Sequence, residues 1–253
     1  MTITIAVTGK GGVGKTAISA LLVDFLCNKG IVLAVDADPS TNLNDALGIK
    51  VESSVGRTRE EMTDDIKGGR LAVSASKLEI LDARIHESLV ETPRFDLLAM
   101  GRPEGPGCYC AANHMIRFSI DKLAKSYDYV IMDCEAGLEH ISRQTTQDID
   151  FLLAVTDPTM RGLNTALRIS ELIGEMRTEV KAGVFLVVNR IKNGLPAELK
   201  DAVTRSGIVL IATIPEDPWM ADLEIKGQPL TLLPLDSPMR RAVQEMLFRL
   251  KIR

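Results

Sequence analysis

The eight residues GKGGVGKT, at positions 9–16, constrain this chain more than any other segment. They match the pattern G-x-x-x-x-G-K-[ST], which folds as a glycine-rich turn between a strand and a helix. The context agrees, because an apolar run at Ile3–Thr8 precedes the pattern and an amphipathic segment at Ile18–Leu26 follows it. Backbone N–H groups in such a turn point inward and, with the positive end of the helix, bind anionic phosphates. The sequence therefore predicts a phosphate-binding loop.

Two side chains in this loop have defined chemical tasks. Lys15 is expected to reach the β- and γ-phosphates of a nucleotide, and the Thr16 hydroxyl is expected to ligate Mg²⁺. The predicted nucleotide contacts of the loop are Gly9, Lys10, Gly11, Gly12, Val13, Gly14, Lys15, Thr16 and Ala17.

The rest of the chain alternates short apolar runs with amphipathic segments. Apolar runs without strict alternation are typical of strands buried on both faces of a parallel sheet. We therefore predict an α/β fold, a doubly wound and mostly parallel sheet of about seven strands with helices on both faces. The predicted strands are Ile3–Thr8, Val32–Asp36, Leu97–Met100, Tyr129–Asp133, Phe151–Thr156, Val184–Asn189 and Ile208–Ile214.

Composition narrows the class of protein. The 253 residues suffice for one large domain over 1–253, in which the polar stretch 50–92 is interpreted as a surface insertion or a run of surface helices. A formal net charge of -4 argues against a dominant attraction to nucleic acid or anionic membrane. Four cysteines without a secretion signal indicate reduced thiols, so a cytoplasmic location is expected.

A second lysine in the loop, Lys10, makes the pattern more specific. The stretch KGGVGKT resembles the deviant Walker A loop of the MinD/ParA-type ATPases, which include nitrogenase iron protein. The resemblance implies ATP and Mg²⁺ as cofactors and a homodimer in which Lys10 contacts the partner's nucleotide. A cation that is remote from its own phosphates can neutralise charge that develops on another subunit's nucleotide. Lys10 and Lys15 are therefore predicted catalytic residues.

Two further stretches agree with this class. In VDADPSTNL, the resemblance makes Asp38 the catalytic residue that orients the attacking water, and Asp36 a Mg²⁺ ligand through water. In YDYVIMDCEAGLEH, it makes Asp133 the Walker B carboxylate and a second Mg²⁺ ligand through water, and Gly137 a residue that senses the γ-phosphate. Ligands of open α/β sheets bind at the carboxyl ends of strands, where these residues are predicted to lie.

The base of the nucleotide is assigned to the C-terminal third of the chain. The stretch FLVVNR ends a predicted strand at Asn189, which in this class hydrogen-bonds adenine. The stretch IPEDP resembles the loop that flanks the base, which adds Pro215, Glu216 and Asp217 to the predicted nucleotide contacts.

The stretch EGPGCYC contains the most unusual feature of the chain, Cys108 and Cys110 one residue apart. A disulfide between them would close a strained ring, and redox catalysis more often uses Cys-x-x-Cys. Metal binding fits better, but a tetrahedral thiolate site requires four ligands. A twofold dimer could supply them, because it brings each surface patch against its own copy.

With this pair included, the chain resembles the CooC/AcsF-type nickel-insertion ATPases, maturation factors of carbon monoxide dehydrogenase and acetyl-CoA synthase. The resemblance rests on GKGGVGKT, DCEAGLEH and GRPEGPGCYC. It implies that Cys108 and Cys110 of two subunits together bind Ni²⁺, for which Zn²⁺ may substitute, and that ATP hydrolysis drives delivery to the client enzyme. The residues alone do not decide between nickel and zinc, or between the two clients.

Two other functions stay open at this stage. One is a MinD/ParA-like positioning ATPase on membrane or DNA, for which the basic tail MRRAVQEMLFRLKIR is the relevant feature. Because Ser237-Pro238 predicts an N-cap and a first-turn proline, we interpret that tail as the closing helix of the domain, without stable membrane association. The other is an electron carrier like nitrogenase reductase, in which an iron–sulfur cluster joins two subunits. His140 occupies the place of its second cluster cysteine and argues against it.

Overall fold

The structure, a computed structural model, describes residues 2–68, 77–101, 110–134, 148–175 and 179–252. Ten strands lie within these ranges. They are β1 (Ile3–Gly9), β2 (Val32–Asp36), β3 (Leu89–Glu91), β4 (Asp96–Ala99), β5 (Tyr129–Asp133), β6 (Asp148–Ile149), β7 (Phe151–Thr156), β8 (Glu179–Val180), β9 (Val184–Ile191) and β10 (Val209–Pro215).

Nine α-helices lie in the same ranges, with a short 3-10 helix at Leu230–Leu232. The α-helices are α1 (Lys15–Leu26), α2 (Leu43–Leu47), α3 (Val55–Lys67), α4 (Lys77–Glu87), α5 (Cys110–Ala124), α6 (Met160–Glu175), α7 (Ala197–Ser206), α8 (Pro218–Ile225) and α9 (Pro238–Arg249).

The main sheet has eight strands in the order β10-β9-β7-β1-β5-β2-β4-β3. All neighbours are parallel except β3 and β4. From β1 the chain first runs to one side of the sheet through β2 to β4, and then returns to place β5 between β1 and β2. It later extends the other side of the sheet through β7, β9 and β10. The strand order therefore reverses at β1, and such a reversal opens a crevice for ligands at the carboxyl ends of the strands.

Two layers of helices cover the sheet, one on each face. Both faces need a cover because successive side chains along a strand point to opposite faces of the sheet. On β1, Ile5 and Val7 face a core that contains α1 and α9, whereas Ala6 faces a second core with α3, α4 and α5. A third cluster packs α6 and α7 against β7 and β9. All five residues of β2 and of β5 are buried, because helices cover both faces of the central strands.

The predicted fold class is confirmed, with one strand more than the seven expected. The additional strand of the main sheet is β3, a three-residue antiparallel edge strand whose residues are half-buried or exposed. Such a strand carries no long apolar run, so the sequence pattern did not reveal it. The two-residue strands β6 and β8 pair as a separate small sheet.

Residues 50–92, which the sequence suggested as an insertion, contribute α3, α4 and β3 in their described part. Both helices present apolar side chains to the second core, where Val55, Leu81 and Ile85 are buried. Arg84 of α4 and Asp65 of α3 form an ion pair at 2.5 Å. This part of the chain thus covers one face of the sheet.

The C-terminal segment forms α9 and packs into the first core through Val243, Met246 and Leu247. Ser237 is its N-cap, because the Ser237 hydroxyl accepts a hydrogen bond from the N–H of Arg240 at 3.0 Å. The proline that follows occupies the first turn, where its missing N–H costs nothing. No helix in the described ranges is both long enough and apolar enough to span a bilayer.

Candidate functional site

The loop between β1 and α1 runs along the carboxyl edge of the sheet, at the point where the strand order reverses. A β-carbon on Gly9 would lie 2.0 Å from the carbonyl oxygen of Val155, so only glycine fits beside β7. Gly14 has φ 90, in the left-handed region that glycine adopts without strain. The first residue of α1 is Lys15, so the loop ends at a helix N-terminus whose N–H groups can bind an anion.

The side chain of Lys15 folds back across this loop. It is buried, and its Nζ donates a hydrogen bond to the carbonyl oxygen of Lys10 at 3.3 Å. Lys10 itself is exposed and is absent from the residues that line the adjoining cavity. The two lysines, five positions apart, therefore occupy different environments: one lies inside the loop and the other faces solvent.

Thr16, the second residue of α1, contacts the carboxylate at the end of β5. Its hydroxyl donates to Asp133 at 2.6 Å, and the hydroxyl of Ser19 donates to the other carboxylate oxygen at 3.1 Å. Burial raises the pKa of Asp133 to about 6, against the opposing effect of these two hydrogen bonds and of Lys15. Ser19 was not predicted, although its position three residues after Thr16 places it on the same helical face.

Asp36 ends β2 directly beside β5, in register with Asp133. It is buried, and its two carboxylate oxygens accept from the N–H of Asp38 at 3.1 Å and of Leu43 at 2.9 Å. Burial, together with the negative charge of Asp133, raises the pKa of Asp36 to about 7. Asp36 thus shapes the turn that carries Asp38, which is half-buried and lines the cavity.

A cleft of about 850 Å³ opens in front of the loop. Gly12, Lys15, Thr16 and Ala17 line it on one side, and Asp38 lines it on another. The far wall comes from α8 and the turn after it, where the sequence offered no motif; it includes Met220, Glu224, Gln228 and Leu230. These residues were missed because they come more than 200 positions after the loop and reach it only through the fold.

A second cavity of about 380 Å³ adjoins the cleft, and Arg190, Met220 and Glu224 line both. The residues predicted to flank the base line this smaller cavity, namely Asn189, Pro215, Glu216 and Asp217. Asn189 is buried and donates to the carbonyl oxygen of Val13 at 2.8 Å. Glu216 is half-exposed and pairs with Lys192 at 3.5 Å.

Asp217 has a second set of contacts, which the sequence did not suggest. Its buried carboxylate accepts from the N–H of Trp219 at 2.9 Å, and from the hydroxyl of Ser237 and the N–H of Met239 at 2.5 and 3.1 Å. It therefore caps the N-terminus of α8 and holds that of α9 beside it.

Replacing Asp217 with alanine is expected to lower the free energy of unfolding by about 2 kcal/mol, because two helix N-termini lose their acceptor. Chemical denaturation monitored by circular dichroism measures this change. Asp222→Ala is the control, because Asp222 is half-exposed and only pairs with Lys226 within α8. Equal stability of the two variants would contradict the capping role.

Several predicted residues lie outside the part of the chain that the structure describes. Cys108 and Gly137 fall in undescribed ranges, and of Cys110 only its position as the first residue of α5 is described. Within the described side chains, no group of three or more histidine, cysteine, aspartate or glutamate residues is placed to hold a metal ion. The nickel ligands therefore stay a prediction.

Comparison with known proteins places the chain in a family. A family model described as an AAA domain matches residues 1–184. The chain is 43% identical to an uncharacterized ATP-binding protein of Methanocaldococcus jannaschii, over 96% of each sequence. It is also 34% identical to the carbon monoxide dehydrogenase accessory protein CooC of Rhodospirillum rubrum, over 68% of this chain and 69% of CooC.

The fold agrees with that of solved relatives. The septum site-determining protein MinD from Pyrococcus horikoshii, complexed with Mg-ADP, matches with a TM-score of 0.70. The match covers 100% of this chain and 97% of MinD at 20% sequence identity, so it bears on the fold alone. Together with the glycine-rich loop, its buried lysine and the adjoining cleft, the family match and the sequence relatives show that the chain belongs to the AAA-domain family and is an ATPase of the MinD/ParA type.

Proposed function

We propose that this protein is a Mg²⁺-dependent ATPase that dimerises around ATP and uses hydrolysis to deliver a thiolate-bound Ni²⁺ ion to carbon monoxide dehydrogenase or acetyl-CoA synthase. The observation that supports the ATPase part best is the buried Lys15 at the N-terminus of α1, beside a cleft of about 850 Å³. The nickel part is supported by the similarity to CooC and by the Cys108-Tyr109-Cys110 sequence.

In this proposal the loop binds the phosphates and Lys15 stabilises their charge. Backbone N–H groups of residues 11–16 surround the β-phosphate, and the Lys15 ammonium exchanges the Lys10 carbonyl for oxygens of the β- and γ-phosphates. Because these groups are already placed before the reaction, they need little reorganisation when charge develops on the transferred phosphoryl group.

The described residues fit a Mg²⁺ ion. The Thr16 hydroxyl lines the cleft and is a hard oxygen donor, as Mg²⁺ prefers. The buried Asp133 carboxylate lies 2.6 Å from that hydroxyl and would act through water. Asp36 would act through water, since both its oxygens already accept backbone N–H groups. When bound, Mg²⁺ neutralises charge on the phosphate oxygens.

Asp38 is proposed to orient the attacking water, because it lines the cleft on the turn after β2. Its Oδ1 accepts the N–H of Ser40 at 2.8 Å, which holds the carboxylate in place and leaves the second oxygen for water. Lys10 is exposed and is not among the residues that line the cleft of its own subunit. This environment supports a role at the nucleotide of a second subunit.

The metal cargo is assigned to Cys108 and Cys110 of two subunits, which together offer four thiolates. Thiolates bind both Ni²⁺ and Zn²⁺, and geometry and availability select between them. ATP must stabilise the closed dimer more than ADP does if hydrolysis is to release the metal. By reciprocity, metal binding then tightens dimerisation and dimerisation tightens metal binding.

Titration with Ni²⁺ tests this site. We expect one Ni²⁺ per two chains in the presence of a non-hydrolysable ATP analogue, because four sulfur ligands complete one tetrahedral site. Isothermal calorimetry gives the stoichiometry, and light scattering on the same samples gives the mass of the oligomer. The Cys108→Ala/Cys110→Ala double variant is expected to lose the binding.

Cys27→Ala is the control, because it also removes a thiol but one that is far along the sequence from the proposed ligands. Cys27 follows the last residue of α1, and its sulfur accepts a hydrogen bond from an Arg94 nitrogen at 3.0 Å. Tight Ni²⁺ binding that survives the double substitution, or one ion per chain, would contradict the shared site.

The same samples address the competing functions. Co-sedimentation with anionic liposomes or DNA that depends on ATP would favour a positioning ATPase, and a brown chromophore after anaerobic purification would favour an electron carrier.

A further inference from the structure

We propose that Asn189 is a positioning residue for the phosphate-binding loop, in addition to any contact that it makes with the base. The proposal rests on the nucleotide-binding function proposed above. Asn189 is the last of four consecutive buried residues in β9, 176 positions after Val13 in the sequence, and yet its amide lies directly against the loop.

The contact is a hydrogen bond in the interior of the protein. Nδ2 of Asn189 donates to the carbonyl oxygen of Val13 at 2.8 Å, and both residues are 3% exposed. A buried carbonyl that loses its donor keeps the full cost of its removal from water. Val13 lies two residues before Lys15, so this bond fixes the backbone next to the groups that bind phosphate.

A second hydrogen bond sets the direction of the amide. Oδ1 of Asn189 accepts the N–H of Arg190 at 2.8 Å. Arg190 itself has φ 60, a conformation that residues other than glycine adopt infrequently. With Oδ1 engaged in this way, the nitrogen of the same amide faces Val13.

The packing of the loop against Asn189 agrees with this role. A β-carbon on Gly14 would lie 2.4 Å from Nδ2 of Asn189, so the side chain occupies the space that any larger residue at position 14 would need. The loop and Asn189 therefore fit together as one unit, and glycine is required at the contact.

The position of Asn189 connects the two halves of the nucleotide site. It lines the smaller cavity with Pro215 and Glu216, where the base is proposed to bind, while it holds the loop that binds the phosphates. The amide nitrogen carries two hydrogens, and the bond to Val13 uses one of them. The second is available to the base, so one side chain can serve both halves.

Tripolyphosphate, a ligand with the phosphates of ATP but without its base, separates the two roles. Calorimetric titration with tripolyphosphate and with ATP, each with Mg²⁺, is carried out on the wild type, on Asn189→Ala and on Asn189→Leu. The leucine variant keeps the approximate volume of the side chain and removes only its hydrogen bonds. We expect both variants to bind tripolyphosphate about tenfold more weakly, the change that one lost buried hydrogen bond produces.

Asn164→Ala is the matched control, because Asn164 is exposed on α6. This variant should bind ATP and tripolyphosphate with the affinities of the wild type. Weakened ATP binding with unchanged tripolyphosphate binding would reduce Asn189 to a base contact and overturn the inference. Loss of folding in both variants, followed by circular dichroism, would also overturn it, since Asn189 would then be a general stability residue. A wild type that binds neither ligand would instead contradict the proposed nucleotide function.

Discussion

Replacing Lys15 with alanine is expected to lower the rate of ATP hydrolysis by about 100- to 1,000-fold, the loss typical for one preorganised charge-stabilising group. The Lys15 ammonium is buried inside the loop, where its charge acts through a lower dielectric than in water. A phosphate-release assay under saturating ATP measures the rate, and calorimetry with an ATP analogue reports whether binding is lost as well.

Lys10→Ala separates the roles of the two lysines in this experiment. Because the Lys10 side chain is exposed and does not line the cleft of its own subunit, the Lys10→Ala variant should bind the ATP analogue as the wild type does and hydrolyse ATP more slowly. Lys200→Ala, at an exposed lysine of α7, serves as a control for the loss of a surface charge. Wild-type turnover in Lys15→Ala would contradict the assignment of the active site.

Replacing Asp24 with alanine is expected to lower the free energy of unfolding by about 3 kcal/mol, because a buried ion pair loses one partner. Asp24 lies in α1, 3% exposed. Its two oxygens pair with Arg94 at 2.9 Å and with Arg240 of α9 at 2.7 Å. The Arg94 side chain is half-exposed and water can solvate it, whereas Arg240 is largely buried beside Phe25 and cannot be resolvated without movement of α9. Urea denaturation at equilibrium measures the shift in midpoint.

Glu245→Ala is the matched control for a carboxylate that pairs with arginine. Glu245 is exposed and pairs with Arg249 one turn along α9, a geometry worth about 0.5 kcal/mol. If Asp24→Ala were no more destabilising than Glu245→Ala, the attachment of α9 to α1 would not depend on this ion pair.

Much of the fold could be predicted because its central strands are buried on both faces. The runs Val32–Asp36 and Tyr129–Asp133 are apolar up to the aspartate that ends each of them, and the observed strands have the same limits as the predicted ones. The edge strand Leu89–Glu91 escaped prediction because it is short, partly exposed and paired on one side. The strands that could be predicted from the sequence were therefore those that are buried on both faces.

The phosphate end of the site could be predicted for a similar reason. Its residues are contiguous, and glycine at positions 9 and 14 is required by the close approach of Val155 and Asn189. The far wall of the cleft, which includes Met220 and Gln228, does not need particular residue types at fixed spacings, so no sequence motif predicted it. The contacts of Asp217 with the N-terminus of α9 could not be predicted either, because Ser237 and Met239 lie about 20 positions further along the chain.

By itself, the sequence determined the glycine-rich loop, the parallel α/β class and membership among MinD/ParA-type ATPases. Those conclusions depend on local chemistry, namely residues that a tight anion-binding turn or a buried strand cannot do without. Only the tertiary structure decided that Asp36 and Asp133 lie side by side, that Lys15 is buried while Lys10 is exposed, and that Asn189 holds the carbonyl of Val13. These contacts join residues from distant strands, and their geometry follows from strand order and register, which one sequence does not specify.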